Sequence, residues 1–534
     1  MKTHAANALW VASCFPEWQR FQHSSKHVEE TQTALLSQYL IANKETEYGR
    51  KYQFSRIKSV SQFQKNVPLT TYDDYTEYIN QIGGGQRSVL TADSVRMFEL
   101  SSGSTAASKL IPYTNTLKSE FQRGIAPWIY NLYTNIPDLQ RGPAYWSITP
   151  LIDGKRCTTA GIPIGFESDS AYLGLLGKWL VDSVMAVPNA VKNISNMDSF
   201  RYATLLHLLR QPDLRLISIW NPTFLSLLLA SLPASWDSLL NDIARGTISK
   251  QDVELRFAPD PKLARALRAF SPTDYESLWQ NLRLISCWGD GASASYARQV
   301  GEMFPHAHLQ GKGLLATEAF VSVPILGVPE GGSVLSINSH FFEFMDDAGE
   351  VHLAHQVKKG KTYSVVITTG GGFYRYQLHD VVEVVGQWQQ TPCIRFVGKA
   401  DHISDWFGEK LEERFVARVL NDVFAKHNIS PCFAMLAPDD MDGFRYVLYM
   451  ESDDWDESFG MDLEHALREN FHYEYCRKLG QLESVRVVPV IHGTETYLKA
   501  CQARGQKLGN VKPTELQKTT GWRNWFVTKE KLAL

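Results

Sequence analysis

The chain has 534 residues, with 54 basic and 57 acidic side chains, a formal net charge of −3, 44% hydrophobic residues and 21% charged ones. That length exceeds one ordinary core and calls for two or three domains, and the near-neutral balance excludes the basic face that general nucleic-acid binding requires. No apolar run approaches the ~20 residues that cross a bilayer, so neither a nucleic acid nor a membrane is an expected partner.

The amino-terminal stretch Ala5 to Phe15 is apolar but short, and Pro16 and Glu17 follow it in a polar, helical-looking segment. No signal peptide is expected there. Residues 1–60 read as helices with aromatic anchors at Trp10, Phe15, Trp18 and Phe21, the second helix ending at Tyr48-Gly49-Arg50. The seven cysteines are scattered without a C-x-x-C pair. Such usage fits free thiols in a reducing, cytoplasmic setting.

A short strand ending near Leu100 leads into Ser101, Ser102, Gly103, Ser104 and Thr105, with Lys109 before the next apolar run and Pro112 behind it. Small hydroxylated residues around a glycine let the backbone close on an anion and offer donors to phosphate oxygens. The P-loop pattern is absent, because Ser108 precedes the lysine and Leu110 follows it. The expectation is a strand–loop–strand phosphate clamp.

Asn115 and Thr116 are the expected caps of a helix reaching about Tyr133. Alternating helices and strands follow, with strands at Tyr145 to Ile148, Leu216 to Ile219, Leu282 to Cys287 and Ala307 to Gln310 and a helix at Ala294 to Met303. That order predicts an α/β layer with a largely parallel sheet. Thr317 and Glu318 come just past a strand end, where such sheets place ligand groups. Glu318 offers the hard oxygen that Mg²⁺ prefers.

Beyond 330 the pattern turns to short strands with Gly/Asp turns, a meander or small barrel. The run Thr368-Thr-Gly-Gly-Gly-Phe-Tyr374-Arg375-Tyr376-Gln-Leu-His-Asp380 carries a strand at Phe373 to Leu378, with the next at Val381 to Val385. Asp380 is expected at the turn between them, and Tyr374 and Tyr376 on one face with Arg375 on the other. An ionised Asp accepts two hydrogen bonds and suits a ribose diol. Lys399 and Asp401 lie at an expected domain junction near Gly398 to Asp405, and Lys410 opens the next expected helix, Glu409 to Phe424. Lys512 follows on a Gly-flanked basic loop. The domains expected are thus a large one over 1–399 and a smaller α+β one over 400–534, with strands at Tyr446 to Met450 and Val485 to Val490 and a helix at Leu463 to Lys478.

Ser-Ser-Gly-Ser-Thr…Lys-Leu-Ile-Pro, Leu-Leu-Ala-Thr-Glu, Thr-Thr-Gly-Gly-Gly-Phe-Tyr-Arg-Tyr-Gln-Leu-His-Asp-Val and Phe-Val-Gly-Lys-Ala-Asp-His-Ile-Ser, in this order, resemble the acyl-acid amido synthetases of the auxin-responsive Gretchen Hagen family, in its non-plant branch. That family belongs to the adenylate-forming superfamily. The resemblance implies an ATP- and Mg²⁺-dependent ligase that adenylates a small carboxylic acid and passes the acyl group to an amino acid; a coenzyme A acceptor and an inactive nucleotide-binding relative are the alternatives. It implies a phosphate clamp at Ser101, Ser102, Gly103, Ser104 and Thr105, and adenylate and Mg²⁺ contacts at Thr317 and Glu318. It places Tyr374 and Asp380 around the adenosine, Lys399 nearby, and Lys410 and Lys512 on a mobile, cap-like carboxyl-terminal domain. The clamp departs from the family's usual Thr-Ser-Gly-Gly-Glu, and Lys399 stands where arginine is usual. The acid pocket is expected in the helical region 117–230, with Trp128, Tyr130 and Trp146 as its aromatic candidates by composition, and a monomer is the expected state.

Overall fold

The structure, a computed structural model, describes residues 2–101, 109–147, 156–165, 183–194, 196–248, 250, 253, 255–328, 332–400, 402–452, 455–504, 506 and 511–526. The chain divides into two compact units. The first takes Met1–Gly289, Ala297–Leu378 and Val382–Phe396. The second takes Asp290–Tyr296, His379–Val381 and Val397–Leu534.

The first helix, Lys2–Ser24, runs through Pro16, and the second, Val28–Asn43, stops short of Tyr48-Gly49-Arg50. Gly49 lies instead inside the short helix Glu47–Lys51, where a Cβ would stand 2.0 Å from the Asn43 carbonyl oxygen. The glycine therefore serves a close backbone approach, not the helix stop expected of it.

Strands β1 (Met97–Ser101) and β2 (Lys109–Tyr113) pair antiparallel, with Ser101 opposite Lys109. The helix Asn115–Asn135 follows, and its cap is Thr114, whose Oγ1 accepts the Leu117 N–H at 3.0 Å; Asn115 and Thr116 already belong to the helix. Then come β3 (Ala144–Trp146), β4 (Arg156–Cys157), β5 (Pro163–Ile164), β6 (Leu216–Ser218), β7 (Leu284–Cys287) and β8 (His308–Gly311). One sheet runs β2-β1-β5-β4. The other runs β3-β6-β7-β8, and every neighbour in it is parallel. β6 and β7 are buried along their whole length. Parallel strands covered on both faces read as continuous apolar runs, which is why they were visible in the sequence. The expected helix Ala294–Met303 is present, and the leucine stripes of Met197–Leu209 and Pro222–Ala230 fill the core against this sheet.

Next are β9 (Ser322–Val323), β10 (Ser333–Leu335), β11 (Phe341–Met345), β12 (Val351–Leu353), β13 (Thr362–Thr368), β14 (Tyr376–Trp388) and β15 (Thr391–Lys399). They form a seven-stranded sheet in the order β12-β11-β13-β14-β15-β10-β9. The expected pair of strands around Asp380 is one long strand, β14. His379, at φ 60°, takes the left-handed conformation inside it, so the chain bends without turning back.

In the second unit β16 (Ile403–Ser404) and β17 (Leu411–Glu412) make a hairpin. The helix starts only at Glu413 and runs to His427, so Lys410 precedes a strand and does not open the helix. The reason is backbone: Gly408 at φ 98° and Lys410 at φ 43° reverse the chain. Strands β18 (Phe433–Asp439), β19 (Arg445–Glu451) and β20 (Arg486–Pro489) form the remaining sheet. The expected single helix over Leu463 to Lys478 is two, Glu457–Leu467 and Phe471–Lys478, because Asn470 caps a new start by accepting the His472 and Tyr473 N–H groups.

Candidate functional site

Ser101 closes β1, while Ser102, Gly103, Ser104 and Thr105 lie outside the described residues. The strand that follows them is anchored by Tyr72, whose hydroxyl accepts the Leu110 N–H at 2.7 Å and whose ring lies 5.5 Å below Lys109 Nζ. Burial, and after it the charge of Glu318, push the Tyr72 phenol up. Glu318 itself is buried, and the Thr317 carbonyl accepts the Tyr113 hydroxyl at 2.9 Å. Thr317 and Glu318 thus share a neighbourhood with β2, the strand that leaves the expected clamp.

The same turn is tied to the glycine run. Phe320 N–H donates to His340 Nε2 at 3.0 Å, which puts the imidazole proton on Nδ1, 3.0 Å from Glu120 Oε2. Glu120 also accepts the Gly370 N–H at 3.0 Å and the Tyr39 hydroxyl at 2.7 Å. Gly370 is required there, because a Cβ would stand 2.4 Å from Glu120 Oε1.

Tyr374 corrects an expectation. Its ring has no exposed surface, stacks on Tyr48 at 4.9 Å between centroids, and spends its hydroxyl on the Leu90 carbonyl at 2.9 Å. It holds the core and presents nothing to an adenosine. Alternation fails here because Tyr374 and Arg375 precede β14 and Arg375 sits at φ 50°. Arg375 is buried against Glu343 instead, with Nε 3.0 Å from Oε2.

In the second unit the buried Asp380 meets Lys399 Nζ at 3.0 Å. Asp401 lies outside the described residues. Lys410 is exposed on the β16–β17 hairpin, which Glu409 pins from inside by accepting the Trp406 and Phe407 N–H groups at 2.9 and 2.7 Å and the Tyr446 hydroxyl at 2.6 Å. Lys512 is also exposed, its carbonyl accepting the Tyr497 hydroxyl at 2.8 Å. Among the described residues, Asp346, Glu350 and His352 bring three ligand atoms within 4.8 Å, but Asp346 already accepts two N–H groups of its own hairpin turn.

One polar cluster was not foreseen. Trp146, Ser218, Ser286 and Gln310 lie in register across the parallel sheet, each at or one residue before the carboxyl end of its strand. Lys312 follows β8 on the same side and is buried. Its Nζ lies 2.6 Å from Ser218 Oγ and 5.0, 5.0 and 5.9 Å from the ring centroids of Trp128, Trp220 and Trp146. No carboxylate among the described residues pairs with it. Trp128 Nε1 donates to Gln310 Oε1 at 3.0 Å, whereas the buried Trp146 Nε1 and Ser286 Oγ find no partner among the described residues. Two of the expected pocket aromatics, Trp128 and Trp146, meet here edge to face at 5.7 Å, while Tyr130 stacks on Trp18 at 5.7 Å. The signal in the sequence was a lysine between two glycines at a strand's carboxyl end; its tryptophan neighbours come from distant segments.

Burial pulls the Lys312 ammonium down to about 7, the nearby Cys287 thiol opposing this slightly. The unfolded chain keeps its proton to about 10.5. Between these values the unfolded state binds the extra proton, so this group makes folding more favourable as pH rises from 7 to 10.5 and least favourable below 7. Lys312→Met is expected to remove that slope from urea-unfolding free energies measured across the interval. A slope unchanged in the variant contradicts the assignment.

Comparison with known proteins shows the family of the chain. The chain matches the GH3 family N-terminal domain over residues 17–309, the GH3 family central domain over 333–399 and the GH3 family C-terminal domain over 415–520. It is 24% identical over 435 residues to indole-3-acetic acid-amido synthetase GH3.2 of Arabidopsis thaliana, covering 73% of this chain and 78% of that one. It is 24% identical over 429 residues to 4-substituted benzoates-glutamate ligase GH3.12 of Arabidopsis thaliana, covering 73% and 72%. In structure it is similar to the AtGH3.15 acyl acid amido synthetase in complex with 2,4-DB, with a TM-score of 0.83, 19% identity, and 98% and 95% of the two chains covered.

Proposed function

Because the chain belongs to the GH3 family, we propose that it is an ATP-dependent, AMP-forming ligase that adenylates a small carboxylic acid and passes the acyl group to an amino acid. The observation that carries this reading is the succession of all three family domains over 17–309, 333–399 and 415–520. Relatives matched over most of their length are amido synthetases and an acid–glutamate ligase by name.

A carboxylate is anionic and resonance-stabilised, hence a poor electrophile. Attack on the α-phosphate of ATP breaks the α–β phosphoanhydride bond, releases pyrophosphate and converts the acid into a mixed anhydride, from which an amine, losing a proton, displaces AMP. The first step needs donors and positive charge held in place around the phosphates. In this reading the hydroxylated loop Ser101 to Thr105 binds phosphate oxygens, and Lys109 stands at its far end. Thr317 and Glu318 take the adenylate side; Glu318 is a buried carboxylate beside β2 and offers Mg²⁺ one hard oxygen ligand. The ion, when bound, offsets phosphate charge. Asp380, oriented by Lys399, accepts the ribose hydroxyls. Lys410 and Lys512, exposed cations of the carboxyl-terminal part, are the catalytic lysines of this reading.

The domain plan proposed is a body over 1–399 and a moving cap over 400–534. A cytoplasmic monomer, acting without a membrane or a nucleic acid, completes the reading. The free cysteines favour a reducing compartment.

Acid-dependent exchange between pyrophosphate and ATP, measured over a panel of acids, is expected for at least one acid. Adding amino acids is expected to yield an amide detected by mass spectrometry. Exchange with no acid in the panel overturns the ligase reading, and a thioester formed with coenzyme A but no amide overturns the acceptor.

A further inference from the structure

We propose that Lys312, in its cage of Trp128, Trp146 and Trp220, determines which acid is taken, by holding a second carboxylate on the substrate. The inference rests on the ligase reading of the site. It starts from an electrostatic debt: a buried ammonium without a counter-charge among the described residues is costly. Three indole faces at 5.0 to 5.9 Å offset part of that cost. Ser218 Oγ accepts a hydrogen bond from one of the three ammonium N–H groups, leaving two without an acceptor among the described residues.

The location gives those protons a ligand to meet. Open α/β sheets bind ligands beyond the carboxyl ends of their parallel strands. Trp146, Ser218, Ser286 and Lys312 occupy those ends in β3, β6, β7 and directly after β8. Trp146 Nε1 and Ser286 Oγ are further polar atoms in the same row that are buried and have no partner among the described residues. A carboxylate accepts several hydrogen bonds at once and would neutralise the ammonium while satisfying such donors.

That carboxylate is not the reacting one. An oxygen ion-paired to an ammonium in an apolar cage has its electron density committed, and it attacks a phosphorus atom poorly. The carboxylate that forms the adenylate must stay free of Lys312. The acid that fits therefore carries two carboxylates on an apolar or aromatic body. One is held by the cage and the other is activated.

Matched pairs of acids test this: benzoate against terephthalate, and hexanoate against adipate. Acid-dependent pyrophosphate–ATP exchange is measured for each. Quenching of tryptophan fluorescence by each acid is measured in parallel, without nucleotide, because the cage itself is built of indoles. In the parent chain the dicarboxylate of at least one pair is expected to exceed its partner about tenfold or more in kcat/KM and in affinity, the scale of one charge-assisted hydrogen bond. In Lys312→Met the ratio is expected to fall to about one. Equal values within both pairs in the parent, or a preference that survives in Lys312→Met, overturn the proposal. Exchange silent with all acids sinks the ligase reading. In that case the fluorescence titration still decides the cage: tighter binding of a dicarboxylate, lost in Lys312→Met, supports it, and no difference overturns it.

Discussion

Arg375→Met is expected to destabilise the first unit by about 3–5 kcal/mol, the usual cost of stranding one partner of a buried ion pair. The guanidinium Nε lies 3.2 and 3.0 Å from the two Glu343 oxygens, and NH1 donates to the Gln64 and Val67 carbonyls at 2.8 and 2.9 Å. The two side chains are only 6% and 1% exposed, so water cannot replace the lost partner. Removing the arginine leaves a buried carboxylate whose remaining hydrogen bond among the described residues comes from Gln64 Nε2 at 2.9 Å. The double variant Arg375→Met with Glu343→Leu is expected to recover most of the loss, since an apolar pair avoids desolvating two charges. Urea unfolding of the parent, the two single variants and the double variant closes the cycle. A loss below about 1 kcal/mol in Arg375→Met, the range of exposed pairs, contradicts this account.

This arginine shows what the sequence disclosed and what it withheld. Its motif was legible as a pattern, yet not its role, because Glu343, Gln64 and Val67 reach it only through the fold. The parallel sheet was legible because its strands are buried apolar runs between helical stretches. The β-rich stretch after 330 was legible from short strands and turn residues. Boundaries failed where backbone conformation overrode side-chain preference. Gly408-Glu-Lys-Leu-Glu-Glu reads as an acidic helix start, yet left-handed Gly408 and Lys410 reverse the chain, and Glu409 is consumed by the Tyr446 hydroxyl and two N–H groups. His379 is a parallel case: a left-handed residue within β14 replaces the expected turn. Aromatic side chains were seen but not sorted. Trp128 and Trp146 surround Lys312, whereas Tyr374 and Tyr130 are packing residues.

Asp380→Asn is expected to weaken ATP binding and acid-dependent exchange about ten- to a hundredfold, with a much smaller effect on folding. The carboxylate is well placed for this split. It is buried on β14 beside left-handed His379, and its ion-pair partner Lys399 is a third exposed. An ionised Asp presents only acceptors, which is what two ribose hydroxyls need; an Asn presents donors on one side and no charge. Losing a hydrogen bond to a charged group costs about 1.5–3 kcal/mol, hence the factor. The folding cost is smaller because Lys399 is already in part solvent-exposed, unlike the enclosed Glu343. Lys399→Met provides the companion measurement: it frees Asp380 from its cation without removing the acceptor, so nucleotide affinity is expected to fall less than in Asp380→Asn. Calorimetric titration with ATP, beside a thermal melt of each variant, separates the two effects. ATP affinity of Asp380→Asn within twofold of the parent removes Asp380 from the nucleotide site, and a melt that collapses to the extent expected for Arg375→Met would make it a structural residue instead.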